Sequence, residues 1–247
     1  KRVAGWPSKP VLESDHLGPV ARTNVSIKIS SLSARVDPID TEGSIRALMA
    51  EIRPILEAAK RNGVLVNFDM EQFALKDLTL ELFMRCCEQV DFEAGLAMQA
   101  YLRSAPDDAR RIVEWAKRTG RVVTVRLVKG AYWDYETIHA EQQGWPCPVW
   151  PKKALTDACF ERMQRIFLQS TPKRAGEGGV KLALGSQLPI VRQHVARRLT
   201  VEIERLTAPL NSLVTQLAES PAEVQLDVLT GMSLGLKGWR KAPAPAA

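Results

Sequence analysis

Four short apolar runs alternate with helical patterns over the first two thirds of the chain, and this alternation constrains the fold most. The runs cover residues 25–30, 64–69, 96–101 and 122–125. Helices are predicted between and after them, at about 42–61, 76–89, 107–120 and 155–169, with a kink or break at Pro54. Strands that alternate with helices through short links favour one parallel sheet with right-handed crossovers. The pattern predicts an α/β fold of the (β/α)8-barrel type.

Each predicted strand carries a polar side chain near its carboxyl end. These side chains are Lys28, Asp69, Gln99 and Arg126. Each one alone has an ordinary structural explanation, such as a solvated lysine, a helix-capping aspartate or a glutamine bonded to the backbone. Because the carboxyl ends of barrel strands meet at one face, four in succession predict a ligand site there.

The fourth run leads into the stretch Arg-Leu-Val-Lys-Gly-Ala-Tyr-Trp-Asp, residues 126–134. Two cations at a strand end form a compact positive site, and Gly130 lets the backbone approach a ligand closely. Tyr132 and Trp133 can flank a planar ring. The plain alternative is a strand that stops at Gly130 with its charges in solvent.

This stretch resembles the signature of bacterial proline dehydrogenases, including the proline dehydrogenase module of the proline utilisation A proteins. The resemblance covers about residues 24–163 and leaves the C-terminal part unmatched. Its other matching stretches are Asn24–Ile29, Asp69–Glu71, Ala74–Thr79, Gln99–Leu102, Gly144–Pro146, Lys153 and Thr156–Asp157.

The resemblance implies a (β/α)8 barrel that binds FAD and oxidises L-proline to Δ1-pyrroline-5-carboxylate by hydride transfer. It also implies that electrons pass to a membrane quinone, so the protein would be cytoplasmic with peripheral contact at the inner face of the membrane. Many relatives are fused to an aldehyde dehydrogenase module, which a longer parent of this chain would carry or meet as a separate protein.

The resemblance also implies roles for single residues. Arg126 corresponds to the arginine beside the reactive edge of the flavin, where a guanidinium stabilises negative charge on the reduced ring. Lys28 corresponds to a lysine that holds the substrate carboxylate, and Asp69 to a carboxylate near the substrate. The remaining implied cofactor-binding residues are Gln99, Lys129, Gly130, Ala131, Tyr132, Trp133 and Lys153.

The sequence departs from the family pattern after the signature. Residues 151–153 read Pro-Lys-Lys where relatives have Thr-Arg-Lys, so a hydroxyl is lost on the adenine side. Residues 182–186 begin like the fifth strand, but Gln-Leu follows in place of His-Asn. Arg197-Arg198 with Glu202 is one residue too long for the arginine pair that holds the substrate carboxylate, and we do not assign it that role.

These departures predict only the first four to five strand–helix units, followed by a mainly helical tail. We expect an extended lead-in at 1–22, a partial barrel at 23–186, a helical segment at 187–236 with one helix over about 189–219, and a disordered Ala/Pro tail at 237–247. A partial barrel leaves strand edges unpaired. The alternative function is therefore a catalytically inactive remnant or an interaction module of the same family.

Composition excludes several other classes. The net charge of +6 is spread among acidic residues without an aromatic–basic motif, so a nucleic-acid binder is disfavoured. Four cysteines without a Cys-x-x-Cys spacing indicate reduced thiols in a cytoplasmic protein, and three scattered histidines predict no metal site. The start has neither a signal-peptide apolar region nor an initiator methionine, which favours a piece of a longer product.

Overall fold

A computed structural model describes residues 5–7, 9, 13–15, 18–170, 174–204 and 206–237. The chain forms two compact units. The first contains the described residues of 1–9 and 21–170, and the second those of 10–20 and 171–247. The predicted domain limits at residues 22, 186 and 236 stay predictions, and the expected Ala/Pro tail lies, apart from residue 237, outside the described residues.

The first unit is built on a four-stranded parallel sheet. Its strands are β1 (Thr23–Ile27), β2 (Val64–Phe68), β3 (Ala94–Gln99) and β4 (Val123–Val128), in the order β1-β2-β3-β4. Its helices are α1 (Thr41–Asn62), α2 (Lys76–Gln89), α3 (Ala105–Thr119), α4 (Trp133–Gln143) and α5 (Lys153–Ser170), with short turns at Ile29–Leu32 and Phe73–Leu75. The predicted α/β fold of the partial barrel type is confirmed.

The core of this unit lies between the sheet and the helices that follow its strands. Phe68 of β2 packs edge-on against Phe83 of α2, with ring centroids 5.3 Å apart, and Phe83 packs against Trp115 of α3 at 5.9 Å. All three rings are buried. Burial of such rings, rather than helix propensity, holds α2 and α3 on the sheet.

Helix α1 begins and ends where its sequence predicts. The side chain of Asp40 accepts a hydrogen bond from the Gly43 N–H at 3.0 Å, and Gly63 ends the helix in the left-handed conformation. Of the two outcomes predicted at Pro54, the break does not occur, since the helix continues from Thr41 to Asn62, and the kink stays a prediction. Ile52 and Leu56, on either side of the proline, are both buried, and their packing outweighs the one lost backbone hydrogen bond.

The signature runs into α4, which begins at Trp133. The sequence predicts an irregular stretch over residues 138–153, and this prediction is wrong for residues 138–143, which belong to α4. This helix buries only Glu136 and Ala140, one turn apart, so its sequence lacks a helical apolar stripe.

In the described part of the chain, no helix combines the length and the apolar character needed to cross a lipid bilayer.

The second unit consists mainly of helices α6 (Arg174–Gly185), α7 (Pro189–Val201), α8 (Thr207–Leu217) and α9 (Ala222–Leu236), and it also contains a two-residue antiparallel ladder between Ser14–Asp15 and Gly18–Pro19. Its core contains Ala183, Leu199, Leu213 and Val228. Arg192 of α7 donates from Nε to Asp227 Oδ2 of α9 at 2.8 Å.

Two predictions for this unit are wrong. Residues 182–186 begin like the fifth strand of relatives, but 182–185 form the end of α6, because Val180 and Ala183 are buried at helical spacing. The single helix predicted over 189–219 is two helices, of which the first ends at Val201 and the second ends at Leu217. The second one begins at Thr207, and Pro209 in its first turn is compatible with a new helix start.

Candidate active site at the carboxyl ends of the strands

The strand register determines which side chains share a face of the sheet. Ser26 lies beside Asn67, Asn67 beside Gly95, and Ala97 beside Arg126. Because side chains alternate along a strand, Arg126 points to the same face as Ser26 and Asn67. Among the described strands, β1 and β4 are each paired on one side only, so this polar face is open to solvent near its edges.

Arg126 and Asp69, which the sequence assigns to one site, are in direct contact. Nη2 of Arg126 forms an ion pair with Asp69 Oδ1, and Nη1 lies 3.4 Å from Ser26 Oγ. The guanidinium therefore reaches from β4 across the sheet to the ends of β1 and β2. The side chain of Arg126 is 50% exposed and that of Asp69 is 18% exposed, so the pair keeps an open side toward a ligand.

Asp69 is held by its neighbours as well as by the arginine. Its backbone N–H donates to the Ile27 carbonyl at 2.8 Å, and Asn67 Nδ2 donates to its Oδ1 at 3.0 Å. A carboxylate with these donors has a defined position, and it orients the guanidinium in turn.

Lys28 follows β1 directly and is exposed. Its carbonyl accepts from the Ser31 N–H at 3.0 Å, which begins the short turn after the strand. Within the described ranges, its ammonium makes no hydrogen bond or ion pair. Ser30, two residues on, donates from its N–H to Glu71 Oε1 at 3.1 Å, which ties the loop after β1 to the loop after β2.

Gln99 ends β3 and is 4% exposed. Its Nε2 lies 3.5 Å from the Met70 carbonyl, and its Oε1 has no hydrogen-bond partner in the described protein. The side chain is therefore buried at the site with part of its hydrogen-bonding capacity unused.

Gly130 is pressed against the ring of Tyr101. Its φ is 126°, and a Cβ added there would lie 2.4 Å from the ring. Tyr101 is 2% exposed, its N–H donates to the Lys129 carbonyl at 2.7 Å, and burial raises the pKa of its hydroxyl. Any larger residue would force this buried ring to move, so glycine is strongly favoured at this position.

Hydrogen bonds also fix the rest of the signature loop. Trp133 begins α4 and donates from Nε1 to the Trp150 carbonyl at 2.8 Å, and Glu136 is buried and accepts from the Phe73 N–H at 2.6 Å. Ala131 is exposed and Tyr132 is half-buried between these anchors. These contacts define the backbone of the loop.

Lys129 and Lys153 share one carboxylate, that of Asp157. The ammonium of Lys129 pairs with Oδ1 and that of Lys153 pairs with Oδ2 at 2.7 Å. The two lysines lower the pKa of Asp157, and Asp157 raises the pKa of Lys153. Asp157 was not assigned a role from the sequence; only its place in a stretch that resembles the family marked it. The cluster keeps one excess positive charge for an anionic ligand.

The four cysteines are free thiols. Burial raises the pKa of Cys87 to about 12 and raises that of Cys86 further, so neither is a reactive thiolate. The described part of the chain holds no cluster of three His, Cys, Asp or Glu side chains suited to a metal ion.

Fold and site together define a barrel-type α/β protein with a cation-rich site at its strand ends. The sequence model of the proline dehydrogenase family matches residues 4–237. The chain belongs to the proline dehydrogenase family. The match is longer at both ends than the resemblance noted at residues 24–163.

Several relatives are similar to this chain over part of their length. The bifunctional protein PutA of Klebsiella aerogenes is 28% identical over 173 residues, which are 66% of this chain and 13% of that protein. Proline dehydrogenase 1 of Bacillus subtilis is 28% identical over 141 residues, 57% of this chain and 41% of that protein. The chain thus spans less than half of each of these two relatives.

Solved structures agree with the fold. Proline utilization A from Bdellovibrio bacteriovorus, inactivated by N-propargylglycine, superposes with a TM-score of 0.66 and 39% identity over 68% of this chain and 18% of that one. Proline utilization A from Corynebacterium freiburgense superposes with a TM-score of 0.55 and 25% identity over 87% of this chain and 26% of that one.

Proposed function

We propose that this chain binds FAD at the carboxyl ends of its strands and oxidises L-proline to Δ1-pyrroline-5-carboxylate. The observation that carries the proposal is the contact between Arg126 and Asp69 on the open sheet face. Family membership supports the reaction class, because relatives are named for proline dehydrogenation.

The side chains fit a flavin dinucleotide on three counts. Gln99 is buried and its Nε2 makes one long hydrogen bond, which leaves a second N–H for a ring oxygen or nitrogen. Gly130 packs its backbone against the buried ring of Tyr101, which fixes the path of the loop that would hold the cofactor. Lys129 and Lys153 supply positive charge for phosphates, and the other residues we assign to cofactor binding are Arg126, Ala131, Tyr132 and Trp133.

FAD, when bound, supplies the oxidant that accepts a hydride from carbon 5 of proline. Arg126 provides a permanent positive charge, and Asp69 keeps its guanidinium in place, so little reorganisation is needed as charge develops. Lys28, whose ammonium has no partner among the described residues, binds the substrate carboxylate by a charge-assisted hydrogen bond. We also place Asp69 near the substrate, where its carboxylate holds the Arg126 guanidinium.

The wider assignments rest on the resemblance to the family. We propose a quinone as the electron acceptor, a cytoplasmic location with peripheral membrane contact, and an aldehyde dehydrogenase partner, fused or separate. Nucleic acid is not a partner in this proposal.

The cofactor assignment is tested by measuring the affinity of the purified chain for FAD, with the quenching of flavin fluorescence as the signal. We expect Arg126→Met to weaken binding at least tenfold, the scale of one charge-assisted hydrogen bond. Arg110→Met is the matched control, because Arg110 is also half-exposed and ion-paired, with Asp107, but lies on α3. Equal affinities for the two variants would refute the placement of the flavin. A chain that binds no FAD would support the inactive remnant or interaction module.

A further inference from the structure

A small cavity lies behind the carboxyl end of β3. Gln99, Lys76, Asp108 and Ala105 line it, together with apolar side chains of β3 and α2, and its volume is about 10 Å³. That is roughly the space that one water molecule needs, and a buried water also needs two to four polar partners. This cavity has three polar side chains in its wall.

Lys76 and Asp108 form a buried ion pair at this cavity. Nζ of Lys76 lies 2.9 Å from Asp108 Oδ1 and 2.6 Å from Asp77 Oδ1, and the lysine is 4% exposed. Asp108 Oδ2 accepts from Ser104 Oγ at 2.9 Å. An ammonium has three N–H donors, so two carboxylates leave the third without an acceptor among the described residues.

Among the described residues, Gln99 lacks a hydrogen-bond donor for its side-chain oxygen, whereas Lys76 lacks an acceptor for its third N–H. Its Oε1 is buried and accepts no hydrogen bond in the described protein, which costs free energy unless a donor is supplied. Its Nε2 is held only by the long contact to Met70. Direct contacts therefore do not define the orientation of this amide, although it lies at the proposed flavin site.

We propose that one water molecule in the cavity accepts the third N–H of Lys76 and donates to Oε1 of Gln99. The buried Lys76–Asp108 pair is then the positioning element for Gln99. With Oε1 turned toward the water, Nε2 presents its second N–H at the carboxyl end of β3. The consequence for cofactor binding rests on the proposed function, whereas the water link itself does not.

One substitution can fill the cavity while both residues of the ion pair are kept. Ala105→Val adds two methyl groups at the cavity wall and excludes the water. Ala116→Val is the matched control, because it makes the same change on the same helix at a half-buried position away from the cavity wall.

Two measurements on the flavin-free chain decide the proposal. A high-resolution crystal structure of the wild type should contain a water within hydrogen-bond distance of both Lys76 Nζ and Gln99 Oε1. Nitrogen relaxation of the Gln99 side-chain amide should indicate greater mobility in Ala105→Val and no change in Ala116→Val. A dry cavity in the wild type, or an amide of equal mobility in all three proteins, overturns the proposal.

FAD binding then separates this inference from the proposed function. We expect Ala105→Val to weaken FAD binding about three- to tenfold, the scale of one neutral hydrogen bond, relative to Ala116→Val. A wild-type chain that holds the water and an ordered amide but binds no FAD refutes the proposed function and leaves the water link supported. An Ala105→Val protein that loses the water and binds FAD with unchanged affinity refutes the positioning role.

Discussion

Replacement of Gly130 by alanine should destabilise the protein well beyond an ordinary glycine substitution. Its φ of 126° strains any side chain, and the new Cβ would lie 2.4 Å from a tyrosine ring that is 2% exposed. The backbone strain is worth about 1–3 kcal/mol. The forced movement of a buried ring adds about 1–3 kcal/mol. We therefore expect a total loss of about 2–6 kcal/mol in the free energy of unfolding.

Gly144→Ala is the matched control for this prediction. Gly144 also has a positive φ, 65°, but an added Cβ would meet no atom within 4 Å. Its expected cost is only about 1–2 kcal/mol. Urea unfolding followed by tryptophan fluorescence measures both variants against the wild type. Equal losses for Gly130→Ala and Gly144→Ala would refute the reasoning, because they would mean that Tyr101 does not constrain the signature loop.

Two further predictions concern charge and thiol chemistry. Because Lys129 and Lys153 lower the folded-state pKa of Asp157, this carboxylate stabilises the fold above its unfolded pKa, and the gain disappears as the pH falls through the folded value. Asp157→Asn should therefore lower the melting temperature at neutral pH, and the difference from the wild type should shrink as the pH falls below the ordinary aspartate range; a pH-independent difference would contradict this. A thiol reagent at mildly alkaline pH should modify the half-buried Cys147 first, and Cys86 and Cys87 only on unfolding, as mass spectrometry of the modified peptides would detect.

The residues of the strand ends could be predicted from the sequence because they follow from local pattern. The second helix, Lys76–Gln89, has the predicted bounds, and Arg126 and Asp69 meet because parallel strands bring their carboxyl ends together. What could not be predicted is that the two side chains pair with each other. That contact depends on the exact reach of the guanidinium across the sheet, which no spacing encodes.

The other features that the sequence did not predict also depend on how the elements pack. Asp157 lies 28 positions from Lys129, and their contact depends on how α5 packs beside the end of β4. Helix α4 was missed because only Glu136 and Ala140 are buried in it. The end of α6 resembles a strand because residues 182–184 are apolar, but their burial follows a helical period.

The most direct test of the central claim is the visible absorption spectrum of the chain, purified after expression with added FAD, during anaerobic addition of L-proline. The proposal predicts a flavin band that bleaches with L-proline and bleaches far more slowly in Lys28→Met, which removes an ammonium with no described partner. A flavin band unaffected by L-proline would contradict proline oxidation by this chain. A colourless protein would contradict cofactor binding as well.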